Sequence, residues 1–469
     1  MSAVTFTAGE IAAVTGGRLA GGSPDRRFAT VSIDSRTVRP GDLFVAIRGE
    51  RFDGHAFVAA ALAASAAGVI VSATTRADAS LGGAEPVVVE VADTTRALQD
   101  LAREMRRRSG AKVVAITGSA GKTTTKELTA AMLSTRYRVF RNRGNFNNHI
   151  GLPLSLLELG DRPDVAVVEL GMNHPGEIRT LVRIAEPEVR VWTNVGDAHA
   201  GFFASADAVA DAKAEIMDGA APTDVLIANA DDARVMARVP AFAGRTVTFG
   251  MGQDADVRAV DVQHRGLDGM AGVLVTRSGR VPFETPLLGS GNLANVLAAS
   301  AVALEFGVPL DVIVSRAAAH VPAPHRGELL RLPGGLTVID DSYNSSPSAL
   351  KRSLEVVREA TGSARKVAIL GEMLELGAHA TRMHEECGRA AAGAGLDVLI
   401  TVGGDAAGSL AAAARDAGMP ASAVVHVATA AEAIEAALAR VRPGDLVLVK
   451  GSRGIRTDLV VDRLKEEYA

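Results

Sequence analysis

An apolar strand, Val113-Val114-Ala115-Ile116-Thr117, runs directly into Gly118-Ser119-Ala120-Gly121-Lys122-Thr123-Thr124, and Thr125 to Arg136 then follow a helical period through Leu128, Met132 and Leu133. Strand, glycine-rich turn and helix in succession is the opening of a βαβ unit. Its parallel strands need a crossover, which commits the neighbouring chain to a doubly wound α/β sheet. The same arrangement aims backbone N–H groups and the positive end of a helix at one point, where an anion is held. Glycines let the backbone approach phosphate oxygens, Lys122 reaches toward the β and γ positions, and the Thr123 hydroxyl is a ligand for Mg²⁺. The spacing is G-x-x-G-K-T-T, shorter than the usual phosphate loop because Ile116 stands where the first glycine would be. Gly118 to Thr124 therefore read as a nucleoside-triphosphate site.

The rest of the chain repeats the alternation. Val165 to Glu169, Val189 to Asn194 and Val225 to Asn229 are apolar runs separated by helical stretches, while residues 245 to 290 lack helical period and predict an antiparallel β excursion. A Pro-rich break at Val321 to Arg326 precedes a second alternation, with strands at Thr337 to Asp340, Val367 to Leu370, Val398 to Val402 and Leu446 to Lys450. Ahead of the phosphate loop, Val31 to Ile33, Leu43 to Ile47, Val69 to Val71 and Val87 to Val89 form a smaller α/β unit, and the Arg-rich stretch 106 to 110 reads as a linker out of it. At roughly 150 residues per domain, a 469-residue chain has room for about three. The expected domains are 1–108, a central phosphate-loop domain 109–325 with a mostly parallel sheet, and a Rossmann-like domain 326–469.

Composition removes several classes of function. Lys+Arg 50 against Asp+Glu 54 and 4% aromatic residues leave neither a broad basic face nor stacking platforms, which disfavours nucleic acid as a partner. The single cysteine, Cys387, cannot form an internal disulfide or a multi-Cys metal site and reads as a small buried apolar group. Met1 to Thr5 lack a basic signal-peptide start, and the uncharged stretch Ala56 to Ala73, mostly alanine with Ser65 and Gly68, is better explained by a helix and a short strand than by a membrane span. A cytoplasmic, soluble, monomeric protein is expected. Gly250-Met251-Gly252-Gln253-Asp254-Ala255 matches a dinucleotide fingerprint, but the strand-like Asp256 to Val260 follows it where a helix is required.

Other residues are candidates to complete the site. Glu169 closes its apolar run where a sheet gathers ligands, a position for Mg²⁺. His199, in Gly196-Asp197-Ala198-His199, fits either a metal ligand or a ring satisfying a carbonyl. Lys213, one of only eight lysines, is either a surface lysine or a buried amine whose lowered pKa lets it take up CO₂ as a carbamate. Asn292 and Asn295 suit a helix cap or recognition of an adenine edge.

In this order the segments resemble the Mur ligases, the ATP-dependent amino-acid ligases of peptidoglycan precursor synthesis. The resemblance spans nearly the whole chain: Asp34-Ser35-Arg36 with Asp53-Gly54-His55, the short phosphate loop, Asn145 to Pro153, Glu169 to Ile178, Ala198-His199, Ala212-Lys213, Asn292 to Asn295, His325 to Glu328, Asp340 to Pro347, Gly371 to Gly377 and Lys450 to Arg453. The short loop and His199 are shared with folylpolyglutamate-type ligases. Asp340 to Asn344 and Gly371 to Gly377 resemble the branch that adds D-alanyl-D-alanine to UDP-N-acetylmuramoyl-tripeptide, and the D-[DN]-P-R motif expected of the diaminopimelate- or lysine-adding branch is absent.

The resemblance implies a first domain that holds the UDP-muramoyl substrate through Ser35, Arg36, Asp53, Gly54 and His55, with Asn147 and Asn148 also on the substrate. It implies Mg²⁺ on Thr123, Glu169, His199 and a carbamylated Lys213, with ATP on Gly118 to Thr124, Asn292, Asn295, Arg326 and Asp341. Tyr343 and Asn344 would lie near phosphate or the incoming amine. Catalysis would fall to Lys122, Lys213, His199 and Glu169. Activation of a carboxylate as an acyl-phosphate suits a γ-phosphate cradle and a chain with one unremarkable cysteine. The alternatives are another ligase of this superfamily or, from a different class, a phosphate-loop regulatory ATPase.

Overall fold

The computed structural model of the protein describes residues 6–49, 52–73, 86–197 and 200–469. Its strands form three sheets. The first contains β1 (Arg18–Gly21), β2 (Val31–Ser32), β3 (Leu43–Val45), β4 (Gly68–Ser72) and β5 (Val87–Val91) in the order β1-β5-β4-β3-β2. β2 to β5 pair in parallel, and β1 joins β5 antiparallel. The uncharged stretch 56–73 resolves as expected into the helix Val58–Ala63, a reversal at Ser65 with φ 68° and the buried strand β4. Among the described residues no helix is long and apolar enough to cross a membrane.

The second sheet contains β6 (Lys112–Thr117), β7 (Val139–Arg141), β8 (Val165–Glu169), β9 (Val189–Trp192), β10 (Val225–Asn229), β11 (Arg245–Gly250), β12 (Val257–His264), β13 (Met270–Thr276) and β14 (Gly279–Thr285). Their order is β14-β13-β12-β11-β10-β9-β6-β8-β7. The chain leaves β6 toward β7 on one side and returns to β9 on the other, so the carboxyl end of β6 lies at a switch point, where open α/β sheets take their ligands. The predicted β excursion is antiparallel only in part. β11 pairs parallel with β10 and with β12, and only β12, β13 and β14 form the antiparallel ladder. β11 is fully integrated into the parallel sheet, and its burial explains why: Val247, Phe249 and Gly250 are buried, as an interior strand requires.

The third sheet contains β15 (Glu328–Arg331), β16 (Thr337–Asp341), β17 (Arg365–Gly371), β18 (Val398–Val402), β19 (Val424–Val427) and β20 (Asp445–Lys450), in the order β15-β16-β20-β17-β18-β19. All pairs are parallel except β15 with β16. Alternation divides each strand between two cores. Ile339, Ala368, Leu370 and Leu448 pack with Leu350, Leu354 and Cys387 of the helices Pro347–Glu359 and Ala380–Ala392, while Val338, Val367, Ile369 and Val447 pack with Ala433, Val460 and Leu464 of the helices on the other face. Cys387 is buried as expected, and burial pushes its thiol up to about 12.

Contacts divide the chain into two compact units, residues up to 115 with 137–172 and 176–189, and residues 116–136 with 173–175 and 190–469. Within the first, the Arg-rich stretch 106 to 110 is not a linker. It ends the helix Thr94–Ser109, which is capped by Asp93 at its start and by Gly110 at φ 68°. Arg106 is buried, with Nε donating to the Ala185 carbonyl at 2.9 Å and Nη2 to the Glu186 carbonyl at 2.7 Å, beside the Glu188 carboxylate. Arg106 and Arg107, read as part of a linker, instead bond this helix to the segment 185–188, while Arg108 pairs with Glu104 and Glu10.

Candidate active site

The phosphate loop is held open by absent side chains. Gly118 has φ +151°, and a Cβ there would lie 1.9 Å from Thr193 Oγ1; Gly121 has φ +84°, and a Cβ there would lie 2.1 Å from Asn295 Oδ1. No L-residue with a side chain fits either place without strain. The end of β9 supplies the frame: the Ser119 N–H donates to the Asn194 carbonyl at 3.1 Å, the Ala120 N–H to Asn194 Oδ1 at 2.9 Å, and Thr193 Oγ1 to the Ala120 carbonyl at 2.7 Å. The helix Lys122–Leu133 then begins at Gly121 with no side-chain cap, and Lys122 Nζ folds back onto the Gly118 carbonyl at 2.8 Å. An uncapped N-terminus with a lysine beside it can take phosphate. Thr193 and Asn194 were not singled out from the sequence, although a polar pair ending an apolar strand was a visible signal.

Asn292 is not a helix cap. The helix Ser290–Glu305 is preceded by Gly289, and Asn292 lies in its first turn, with Nδ2 donating to the Leu288 carbonyl at 2.9 Å. Asn292 Oδ1 accepts from Asn295 Nδ2 at 3.1 Å, and Asn295 Oδ1 accepts from Thr125 Oγ1 at 3.3 Å. The pair thus joins this helix to the start of the phosphate-loop helix.

Lys213 is no surface lysine: it is 2% exposed in the helix Ala206–Ala214. Burial, followed by the neighbouring Lys122 ammonium, pushes its pKa well below the ordinary lysine value of 10.5. Of the two environments the sequence left open, the structure has the buried one, beside the phosphate-loop lysine. Val209 and Ala210, one turn earlier on the same helix face, were the signal.

Glu169 is buried at the carboxyl end of β8. It accepts from Asn147 Nδ2 at 2.8 Å through Oε1, and its own N–H donates to Asn142 Oδ1 at 3.1 Å. Asn148 Oδ1 receives the N–H groups of Ile150 and Gly151 at 3.2 and 2.8 Å and so starts the helix Gly151–Leu156. The structure therefore unites Asn147 with Glu169 and gives Asn148 a local structural bond. His199 lies outside the described residues.

In the first sheet's unit, Asp34 and Arg36 form a two-pronged pair at 2.9 and 2.7 Å, and Arg36 holds the Asp34 carboxyl down to about 2. Ser35 lies between them, half-buried. Asp53 Oδ1 accepts from the His55 N–H at 3.0 Å and pairs with its Nδ1 at 2.6 Å, while His55 Nε2 accepts from the Ser72 N–H at 2.8 Å. Those bonds fix His55 as the Nδ1–H tautomer, bracing the turn to β4, and the His55 amide and ring bring Asp53 down to about 2. Gly54 packs where a Cβ would lie 2.7 Å from the Ile47 nitrogen.

On the third sheet, the Arg326 guanidinium stacks 4.0 Å above the Tyr343 ring. His325 pairs with buried Asp340 at 2.8 Å, and Asp340 also receives the Ser342 hydroxyl at 2.6 Å, fixing the turn that presents Asp341, Tyr343 and Asn344. The 371–377 loop is held through residues 372 to 375: the Met373 N–H donates to His384 Nε2 at 2.9 Å, the Leu374 N–H to Ser452 Oγ at 2.9 Å, the Gly404 N–H to Glu372 Oε2 at 2.6 Å and the Gly201 N–H to the Glu375 carbonyl at 2.9 Å. His384 was not predicted to matter, and Ser452 entered only within the segment Lys450 to Arg453; its partner Leu374 is distant in sequence.

A phosphate loop at the switch point of a doubly wound sheet, with a buried amine beside its lysine, defines a nucleotide-binding α/β protein. Sequence patterns described as the Mur ligase family catalytic domain, the Mur ligase middle domain and the Mur ligase glutamate ligase domain match residues 27–106, 116–303 and 325–453. The UDP-N-acetylmuramoyl-tripeptide--D-alanyl-D-alanine ligase of Bacillus subtilis is 35% identical over 440 residues, 93% of each chain. A crystal structure of MurF from Acinetobacter baumannii is 32% identical and superposes with a TM-score of 0.88, covering 98% of this chain and 99% of that one. MurF ligase from Thermotoga maritima in complex with ADP is 29% identical, with a TM-score of 0.82 over 94% and 97% of the two chains. The chain belongs to the Mur ligase family.

Proposed function

We propose that the protein joins D-alanyl-D-alanine to UDP-N-acetylmuramoyl-tripeptide with hydrolysis of ATP to ADP and phosphate, producing the UDP-muramoyl-pentapeptide precursor of peptidoglycan. The observation that carries this reading is likeness along 93% of both chains to a ligase of that name. In this reading residues 1–108 take the UDP-muramoyl substrate through Ser35, Arg36 and the Asp53 to His55 turn, 109–325 bind ATP, and 326–469 close the nucleotide site and receive the dipeptide. The enzyme works in the cytoplasm as a monomer, where ATP and the UDP-linked substrate are both supplied.

The tripeptide carboxylate attacks the γ-phosphorus, the β,γ bridge oxygen leaves with ADP, and an acyl-phosphate forms. Lys122, directly after the loop glycine Gly121, neutralises charge that builds on the phosphate oxygens. The backbone N–H groups of Gly118 to Thr124 orient the same phosphates, while Asn292 and Asn295 hold the adenine end, Arg326 and Asp341 meet ATP from the third sheet, and Asn147 and Asn148 line the tripeptide side. The dipeptide amine, guided by Tyr343 and Asn344, then attacks the acyl carbon. Phosphate departs from the tetrahedral intermediate, and the amine proton passes to solvent or phosphate.

The donor chemistry fits Mg²⁺, a hard cation that takes oxygen ligands and keeps several waters. Thr123 and Glu169 bring a buried hydroxyl and a buried carboxylate, and His199 joins them by resemblance. Lys213, held toward its neutral form, can take up CO₂ and supply carbamate oxygens. Bound there, Mg²⁺ supplies positive charge to the triphosphate oxygens.

Lys122→Ala tests the reading. The variant should melt with the native protein and lose D-alanyl-D-alanine ligation by at least about 100-fold; near-native turnover would refute the role given to the loop.

A further inference from the structure

Asp341 ends β16 and Lys450 ends the neighbouring β20, and the two are register partners in the parallel ladder. Lys450 is 3% exposed, which is costly for an ammonium unless it is paired. Its Nζ lies 2.5 Å from Asp341 Oδ2 and 3.1 Å from the Asn344 carbonyl oxygen. Ser353 Oγ reaches the same Asp341 Oδ2 at 3.0 Å and shares its proton with the Ala349 carbonyl at 3.1 Å. Both bonds fall on one carboxylate oxygen. Among the described residues none is given to Oδ1, and the Asp341 side chain keeps 22% exposure. Arg352 also acts on Asp341 but is shared with Asp197 and Glu355.

A carboxylate that faces a triphosphate is repelled by it unless a cation cancels its charge. The pairing therefore has two effects at once: it removes that repulsion, and it leaves one oxygen of fixed direction as an acceptor.

We propose that Lys450 is the positioning residue of the nucleotide site on the third sheet, compensating Asp341 and turning its Oδ1 toward a hydrogen-bond donor of the nucleotide. The inference rests on the reading that Asp341 meets ATP. Through the Asn344 carbonyl, the same ammonium ties this acceptor to the segment that leads into the helix Pro347–Glu359. Lys450 touches no substrate itself.

The test is ADP titration by calorimetry on the full chain, with the KM for ATP and for D-alanyl-D-alanine measured beside it, for Lys450→Met, Asp341→Asn and the double variant. Lys450→Met should weaken ADP about tenfold or more and raise the KM for ATP more than it lowers kcat. The double variant should bind ADP better than Lys450→Met alone, because an amide needs no compensating cation. A simple loss of packing would not produce that recovery. ADP affinity within twofold of native in Lys450→Met, or a double variant weakened by the product of the two single effects, would overturn the proposal. Should Lys450→Met not fold, Lys450→Gln keeps a donor without the charge and must show the same loss; native affinity in it would equally overturn the proposal. A native protein that binds ADP yet does not ligate D-alanyl-D-alanine would remove the proposed function and leave this inference to its own result.

Discussion

Gly121 and Asn295 meet with no space between them: a Cβ on Gly121 would lie 2.1 Å from Asn295 Oδ1, and the Gly121 backbone is left-handed at φ +84°. Asn295 is held from behind by Asn292 and from the side by Thr125. Gly121→Ala therefore must either push the Asn295 amide off these two bonds or shift the phosphate loop. Because a shift of about 1 Å in a positioning element can cost about 100-fold, kcat/KM for ATP should fall by two orders of magnitude, and thermal melting should fall as well, since an alanine at φ +84° is strained. Steady-state kinetics at varied ATP would show it, and a fall of less than about fivefold would mean that the loop tolerates the methyl group.

Lys213 sets stability against chemistry. Its folded-state pKa is depressed, so between that value and 10.5 the unfolded chain binds a proton that the native state refuses. The stability penalty grows as pH falls from 10.5 toward that lowered value and shrinks as pH rises toward 10.5. In CO₂-depleted buffer Lys213→Met should gain on the order of 1–2 kcal/mol at pH 7 and less at pH 9.5, while ligation is lost. Unfolding curves at the two pH values measure the difference; an advantage that grew with pH would contradict the burial argument.

The ring of His384 accepts from the Met373 N–H at Nε2 and donates from Nδ1 to the Ala380 carbonyl at 2.8 Å, an arrangement only the neutral ring can make. Burial lowers its pKa, against the opposing pull of the Ala380 carbonyl and Glu372. Below pH 6.5 the unfolded chain takes a proton that the native ring refuses, so this contribution is complete above 6.5 and fades as pH falls through the lowered folded value. His384→Phe should cost about 1–3 kcal/mol by stranding the Met373 N–H. His384→Gln should cost less, and both should flatten the acid limb of a stability profile taken from pH 7 to pH 5.

Arg106 and Arg107 differ in burial although they are adjacent. Arg106 is buried on two backbone carbonyls and Glu188, whereas the Arg107 side chain is 51% exposed on Glu186. Arg106→Ala should destabilise its unit by about 2–3 kcal/mol, through lost charge-assisted bonds and stranded carbonyls. Arg107→Ala should cost under about 1 kcal/mol, as exposed pairs do. Urea unfolding followed by circular dichroism would separate them; equal costs would contradict the structural role of the helix end.

What could be read from the sequence was what is local. The phosphate loop is contiguous, its glycines, lysine and threonine are fixed by one turn, and the flanking strand and helix carry their own periodicity. The third sheet was readable for a similar reason, since parallel strands buried on both faces appear as short apolar runs. β15, β19 and β1 escaped because they are edge strands with mixed exposure and carry no such run. Arg106 and Arg107 read as part of a linker because their partners at 185–188 are about 80 residues away in the chain. The pairing of Lys450 with Asp341 was invisible for a related reason: neighbouring strands of a sheet can be far apart in the chain. The cap left open for Asn292 failed because helix boundaries are uncertain by one or two residues from sequence.

The central claim is that the γ-phosphate of ATP is spent on activating a tripeptide carboxylate for D-alanyl-D-alanine. Phosphate release by the purified protein with ATP, Mg²⁺ and UDP-N-acetylmuramoyl-tripeptide should therefore rise only when D-alanyl-D-alanine is added, and not with D-Glu, meso-diaminopimelate or L-Lys. The product should gain the mass of the dipeptide less water. Release driven instead by a single amino acid, or indifferent to every acceptor, would contradict the claim.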